Sequence, residues 1–293
     1  MRTTAFLLVF TSCAASSALR AQDPNIRTPR DLFTRNVGTK EQQMTPFTPF
    51  KIAGNLYYIG TEALGSFLVS TPEGLILINS DFEGNVLGLK ASVEKLGFKF
   101  TDIKIILGSH AHADHQEGDA LAKELSGARV YAMAEDVPAL EKIKPGNKPH
   151  PIDQVIHDGD AVKLGGSVLT AHLTPGHTRG CTTWTMKVTE EGKTYDVVII
   201  GSAGVNPGFK LVNNTETPQI ADEYRRSFKV LYALPCDIPL GSHPAMFNLT
   251  TKFAKLGKGG PNPFIDPAGY RNEVATAEQV FNLEFAAQQA AAK

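Results

Sequence analysis

The sequence predicts an α/β fold built as two sheets with helices outside them, and three observations carry that prediction. Short apolar or β-branched runs alternate with helix-like segments from about residue 55 to about residue 134. Gly or Pro punctuates most of the junctions between them. From about Asp158 the pattern changes to strands joined by Gly-containing turns, so each half reads as strands followed by a helix. With 293 residues, 42% of them hydrophobic, the chain can bury a large core as one domain or two fused halves.

The first residues do not belong to that core. MRTTAFLLVFTSCAASSALRAQ sets Arg2 before an apolar run from Ala5 to Phe10, then mostly small residues up to Ala21. This is the layout of a secretory signal, so the expected division is a signal peptide over 1–21 and a mature domain over 22–293. Cleavage after Ala18 or Ala21 fits, with Cys13 as a lipoprotein alternative. The expected destination is the periplasm. No later segment has the uninterrupted apolar length of a membrane-spanning helix, so no mature anchor is expected. Residues 22 to about 50 are polar and Pro-containing and read as an arm across the surface.

The elements then follow in order. NLYYIG, GSFLVST and GLILINS read as strands. LGLKASVEKLG has helical spacing and stops at Gly97. IKIILGS is the next strand, DALAKELSG the next helix and ARVYAMA the strand after it. DAVKLGGSVLTAHLT and CTTWTMKVTEEGKTYDVVIIGS read as strands, with Glu190–Lys193 as a hairpin tip. QIADEYRRSFKVLYAL is an amphipathic helix, CDIPLGS a final strand, and the tail from Asp266 a terminal helix. Export would leave Cys181 and Cys236, expected as two free, partly buried thiols.

Chemistry concentrates in SHAHADHQEG, residues 109–118, at a strand-to-helix turn. The chain has eight histidines, and three of them, with an aspartate, fall within His110, His112, Asp114 and His115. Alternate residues of an extended stretch face one way, so His110 and His112 can point at one ion. Asp114 and His115 enter the tightening turn and can serve a second. Imidazole and carboxylate donors suit zinc. A lone histidine is more often a core or surface residue; four ligand-type side chains in this space are not explained so. His177 in LTPGHTRG and His243 in LGSHPA repeat the context of a strand, a glycine and then a ligand-type residue. Together they complete six donors for two metal ions. Of the others, His157 and His172 have the wrong context, and loop-borne His150 is the one placed to line a substrate cleft.

These motifs resemble the metallo-β-lactamase superfamily: HAHADH, the PGHT around His177 and the GSH around His243. Many superfamily hydrolases carry an Asp that bridges both metals at the end of a strand, and one β-lactamase group has a Cys there. VVIIGSAGVNPGF reaches Gly201-Ser202 with neither, and in this the chain looks like a subclass B3 metallo-β-lactamase. The resemblance implies a four-layer αββα sandwich with two zinc ions per chain, one on His110, His112 and His177 and one on Asp114, His115 and His243. It implies a monomeric, antibiotic-resistance hydrolase that opens the β-lactam ring of penicillins, cephalosporins and carbapenems with a metal-activated hydroxide. Asp114 would be catalytic by orienting the nucleophile, and no Gly-x-Ser-x-Gly elbow is present for a covalent route. Ser202, Asn206 and Phe82 are the expected substrate contacts. Two departures from the group stand out. Ala203-Gly204-Val205 replaces the serine-containing segment that helps to anchor the substrate carboxylate, and Tyr270 lies where a cysteine would partner Cys236.

Rival readings are a lactonase or thioester hydrolase on the same metals, and a structural zinc module. Structural zinc sites are closed and often Cys-rich, which six His/Asp donors are not. A formal charge of −1 argues against a nucleic-acid groove or a basic membrane surface.

Overall fold

In the computed structural model, residues 25–293 are described, and the signal segment lies outside them. The expected surface arm is two helices, α1 (Pro29–Val37) and α2 (Lys40–Met44). Each opens on a reciprocal capping box, Thr28 with Asp31 and Thr39 with Gln42, and Pro29 occupies the first turn of α1. Thr-Pro-x-Asp is a helix-start signal, and reading the segment only as an arm across the surface overlooked it.

The first sheet holds β1 (Phe50–Ala53), β2 (Leu56–Tyr58), β3 (Phe67–Thr71) and β4 (Gly74–Ile78), followed by α3 (Val86–Lys95) and β5 (Ile103–Leu107). The chain continues through α4 (Ala113–Gln116), α5 (Asp119–Ser126), β6 (Arg129–Met133), α6 (Val137–Leu140) and β7 (Gln154–Ile156). Its seven strands lie in chain order, antiparallel as far as β4 and parallel from β4 to β7. The second sheet holds β8 (Ala161–Leu164), β9 (Ser167–Leu173), β10 (Thr182–Glu190) and β11 (Lys193–Ile200), then α7 (Ile220–Ala233) and β12 (Ile238–Gly241). Its order is β12-β11-β10-β9-β8, and only β11 and β12 run parallel. Two more helices follow, α8 (Leu249–Phe253) and α9 (Pro267–Ala291). The hairpin tip is a two-residue turn in which Glu191 and Gly192 both take positive φ, 51° and 76°, as a type I′ connection requires.

Strand alternation explains the layers. In β4, Ile76 and Ile78 enter the core between the sheets, while Leu75 and Leu77 pack outward against Val86, Leu89 and Val93 of α3. On the other side, α7 and α9 cover the second sheet through Tyr224, Phe228, Val274 and Phe281. The result is the αββα sandwich that the family resemblance implied.

All of the parallel strands end at one edge, and the linkers leaving that edge are tied across the sheets. Trp184 Nε1 donates to the Gly108 carbonyl at 3.0 Å, Thr182 N to Ser109 O at 2.7 Å, and Gly65 N to Ser242 O at 2.8 Å. Gln116 fills the space beneath Gly108, where a β-carbon would come within 2.1 Å of its side-chain amide. Glycine at 108 is thus a packing requirement of the turn. Trp184, 1% exposed, anchors the second sheet beneath this edge. Trp184→Phe removes the donor and leaves a buried carbonyl unpaired. Urea unfolding should show a loss on the order of 2 to 4 kcal/mol; a loss below about 0.5 kcal/mol would show that this cross-sheet bond carries little.

Candidate metal centre

Five linkers meet at that edge. β4 leads into Asn79, Ser80 and Asp81, where Asn79 and Asp81 take positive φ of 64° and 58°. Asn79 organises the floor: its Nδ2 donates to Gly65 O and its Oδ1 accepts from Ser109 N, both at 2.9 Å. β5 leads to His110, His112, Asp114 and His115, with the last two on α4. The turn after β9 carries His177, the end of β11 carries Ser202, and the end of β12 carries His243.

The donor atoms of His110, His112 and His177 lie within 4.8 Å of one another, and so do those of Asp114, His115 and His243. Their rings interleave, with centroids 4.6 Å apart for His110 and His177, 4.3 Å for His110 and His115 and 4.9 Å for His115 and His243. The two groups therefore adjoin. Asp114 Oδ2 stands 3.3 Å from His115 Nε2 and 3.9 Å from His243 Nε2.

The donors fit a cation. His110 Nε2 and both ring nitrogens of His115 are buried without a hydrogen-bond partner, a costly arrangement unless something coordinates them. Burial, then neighbouring imidazoles, drives the His110 pKa well below 6.5. Burial also takes His115 and His177 down to about 3. Neutral imidazole is the ligand form. Burial pushes the Asp114 carboxyl up, but the surrounding histidines outweigh it and hold the pKa below 3.8. Two tautomers are fixed from behind. His177 Nδ1 donates to Gly204 O at 2.8 Å and His243 Nδ1 to Ala63 O at 3.1 Å, which leaves each Nε2 free.

Sequence reasoning missed the residues that hold this arrangement from behind. Asp136, just beyond β6, takes Ala111 N and Thr178 Oγ1 on Oδ2, each at 2.8 Å, and Gly180 N on Oδ1 at 2.7 Å. It thereby ties the His112 turn to the His177 turn. Burial raises its pKa, and those donors together with His112 oppose the rise. Asp81, fully buried and bonded by Ser66 Oγ at 2.6 Å, is pushed up to about 8 by burial. No local pattern marks either residue.

His150 is a correction. It does not line the cleft: its side chain is fully buried, with Nε2 3.1 Å from Gln116 O and 3.3 Å from Asp119 Oδ2, and Nδ1 3.1 Å from Pro151 O. A ring facing acceptors at both nitrogens is an imidazolium. Burial opposes that charge, but Asp119 and the two carbonyls outweigh it and raise the pKa above 6.5. His157 is exposed beside Asp160, and His172 sits in β9 against Thr185.

Expected contacts Ser202, Asn206 and Phe82 all line a pocket of about 260 Å³ that opens on His110, His112, Asp114, His177 and His243. Leu32, Phe33, Asn36 and Val37 of α1 form its opposite wall, which the arm reading did not anticipate. A larger groove of about 990 Å³ crosses the outer face of β9 and β10 and contains none of the six donors. Cys181 and Cys236 are free, as expected. Tyr270 donates to Leu231 O at 2.7 Å. No helix among the described residues is long and apolar enough to cross a membrane.

Comparison with known proteins now places the chain. The profile of the metallo-beta-lactamase superfamily matches residues 66–243. The chain belongs to that superfamily and is a hydrolase. Its likeness within the superfamily is to the subclass B3 enzymes. The FEZ-1 metallo-beta-lactamase of Legionella gormanii superposes with a TM-score of 0.81 at 53% identity, covering 84% of this chain and 98% of that one. BJP-1, a subclass B3 metallo-beta-lactamase of Bradyrhizobium japonicum, gives 0.79 at 35% identity, covering 86% and 99%. The match to a curated relative, a hydroxyacylglutathione hydrolase of Methylobacterium nodulans, is 36% identical over 86 residues and spans 29% of either chain.

Two predictions follow from the supporting residues. Asp136→Asn leaves one acceptor oxygen where three donors converge, so zinc affinity by competitive chelator titration should fall about 10- to 100-fold; unchanged affinity would remove Asp136 from the support. His150 has a raised folded pKa, so its stabilisation is complete below 6.5 and is lost as pH rises through the folded value. The stability gap between the parent and His150→Gln should therefore shrink from about pH 6 to about pH 9. A gap that stays level or widens contradicts a charged ring.

Proposed function

We propose that this chain is a zinc-dependent hydrolase of β-lactam antibiotics. The observation that carries this reading is the juxtaposition of the two three-donor groups at the floor of a pocket walled by Leu32, Phe33, Phe82 and Val205. The 53% identity to a metallo-beta-lactamase over most of both chains supports it. His110, His112 and His177 would hold one ion and Asp114, His115 and His243 the other. Zinc in such a site lowers the pKa of water from about 15.7 to about 7 and polarises a carbonyl oxygen.

The chain's own residues supply the rest. Carbonyl contacts from Gly204 and Ala63 fix the His177 and His243 rings before substrate arrives, so orientation costs nothing during the reaction. The Asp114 carboxylate faces the pocket and is the acceptor placed to orient the attacking water. Leu32, Phe82 and Val205 exclude bulk solvent, which strengthens each polar contact inside. Ser202 and Asn206 stand on the β11 side as polar contacts for the substrate. Export directed by the expected signal segment over 1–21 would bring the mature enzyme into the periplasm, where it would meet these antibiotics.

A second reading, thioester hydrolysis, draws on the partial match to hydroxyacylglutathione hydrolases. Against it, the chain leaving β11 at Ile200 continues as Gly201-Ser202, with no carboxylate there for a metal ion. A substrate panel separates the two. Zinc-loaded protein should turn over a chromogenic cephalosporin, lose that activity to a chelator and regain it with zinc; activity confined to thioesters or lactones would favour the second reading. His177→Ala should lower kcat/KM by more than the roughly 10- to 100-fold that loss of a supporting contact costs. Full activity in that variant would show that His177 holds no metal.

A further inference from the structure

Among the described residues no lysine or arginine lines the metal pocket, yet β-lactam substrates carry a carboxylate beside the ring nitrogen. Ala203-Gly204-Val205 offers no hydroxyl, so Ser202 and Asn206, both uncharged, are the polar side chains on that wall. The opposite wall does offer donors. Asn36 on α1 lines the pocket together with Asp114 and His243. It also borders a shallower depression that contains Arg35, Ala63 and Pro244, which places it on the His243 side of the site.

The orientation of Asn36 is set by its neighbour. Arg35 Nε donates to Asn36 Oδ1 at 2.9 Å, and since a guanidinium N–H can only donate, the facing end of the amide is the oxygen. Nδ2 then keeps two N–H donors with no acceptor among the described residues. Arg35 is itself fixed, because its Nη2 pairs with Glu273 Oε1 of α9 at 2.5 Å. Glu273 is buried, and Arg35 is the only cation that pairs with it among the described residues. A chain of polar contacts thus runs from Glu273 on α9 through Arg35 to Asn36, a residue that lines the metal pocket. α1 lies outside residues 66–243, the span that the family profile covers.

Resting on the β-lactam reading above, we propose that Asn36 is the anchor for the substrate carboxylate and that Arg35 is a positioning residue acting through it. The amide donates to the anion, and the guanidinium behind supplies the favourable field. Helix α1 thereby adds an anion contact on the wall opposite Ser202 and Asn206. The carboxylate is then held on the same side of the pocket as Asp114 and His243.

The test uses the zinc-loaded protein with two readouts. Calorimetry compares 3-mercaptopropanoate with its methyl ester, and steady-state kinetics compares benzylpenicillin with its carboxyl methyl ester. The parent should favour the free acid by about tenfold in both experiments. Asn36→Leu, which leaves the Arg35–Glu273 pair in place, should abolish that preference and show its loss mainly in KM. Asn36→Asp should reverse the preference by repelling the anion. Arg35→Lys, which keeps the charge but cannot hold Glu273 and Asn36 in one fork, should give an intermediate loss. Retention of the acid preference in both Asn36 variants overturns the proposal, as does a loss in Arg35→Lys without one in Asn36→Leu. The outcomes also separate from the wider reading. Calorimetric preference lost in Asn36→Leu by a protein inert to penicillins upholds the anchor and refutes the β-lactamase reading, whereas full penicillin turnover with an unaltered acid preference in Asn36→Leu does the reverse.

Discussion

Everything in this molecule turns on keeping six ligand-type side chains in one small, largely dry volume with their imidazoles uncharged. Burial lowers each of the five ring pKa values, and at His115 and His177 it takes them to about 3. Rings clustered at centroid distances below 5 Å could not all carry charge there, since like charges would add repulsion to lost solvation. Such a cluster is strained polar matter in an otherwise apolar fold. The frame has to be strong enough to impose it.

That strength comes from where the strands end. Parallel ladders β4 to β7 and β11 with β12 deliver their linkers to one edge, and hydrogen bonds between the two sheets lock those linkers to each other. Asn79, Asp136 and Trp184 each bond backbone groups far away in sequence, which ties the linkers that carry the donor side chains to one another. Beneath lies the sandwich core, in which Ile76, Ile78 and Leu107 from one sheet share a buried apolar cluster with Trp184 and Met186 from the other. Fold and site are one mechanical unit, in which packing energy pays for the desolvation of the ligands.

How much of this was legible in the sequence depends on how far apart the interacting residues lie. His110, His112, Asp114 and His115 announce themselves because a period of two followed by a tight turn is a local pattern. His177 and His243 were readable through repeated context, a strand and a glycine before each. Asp136 was not, because its partners are 25, 42 and 44 residues away and nothing in AEDV distinguishes it from any other acidic loop residue. His150 looked like a surface histidine among Pro and Lys; only the fold brings Asp119 and Gln116 against it. Helix α1 carried its own capping signal, but the contacts that dock it, Leu32 in the core and Arg35 on Glu273, 238 residues later, are not local. The role of Gln116, directly after the histidine cluster, is visible only in the fold, where Gly108 lies on its side-chain amide.

The central claim is that these three ligand-bearing loops build two adjoining cation sites. Anomalous diffraction collected on either side of the zinc absorption edge, from crystals of protein dialysed against zinc, tests it directly. Two peaks should appear, one enclosed by His110, His112 and His177 and the other by Asp114, His115 and His243. A single peak, or peaks away from those six side chains, would contradict the account.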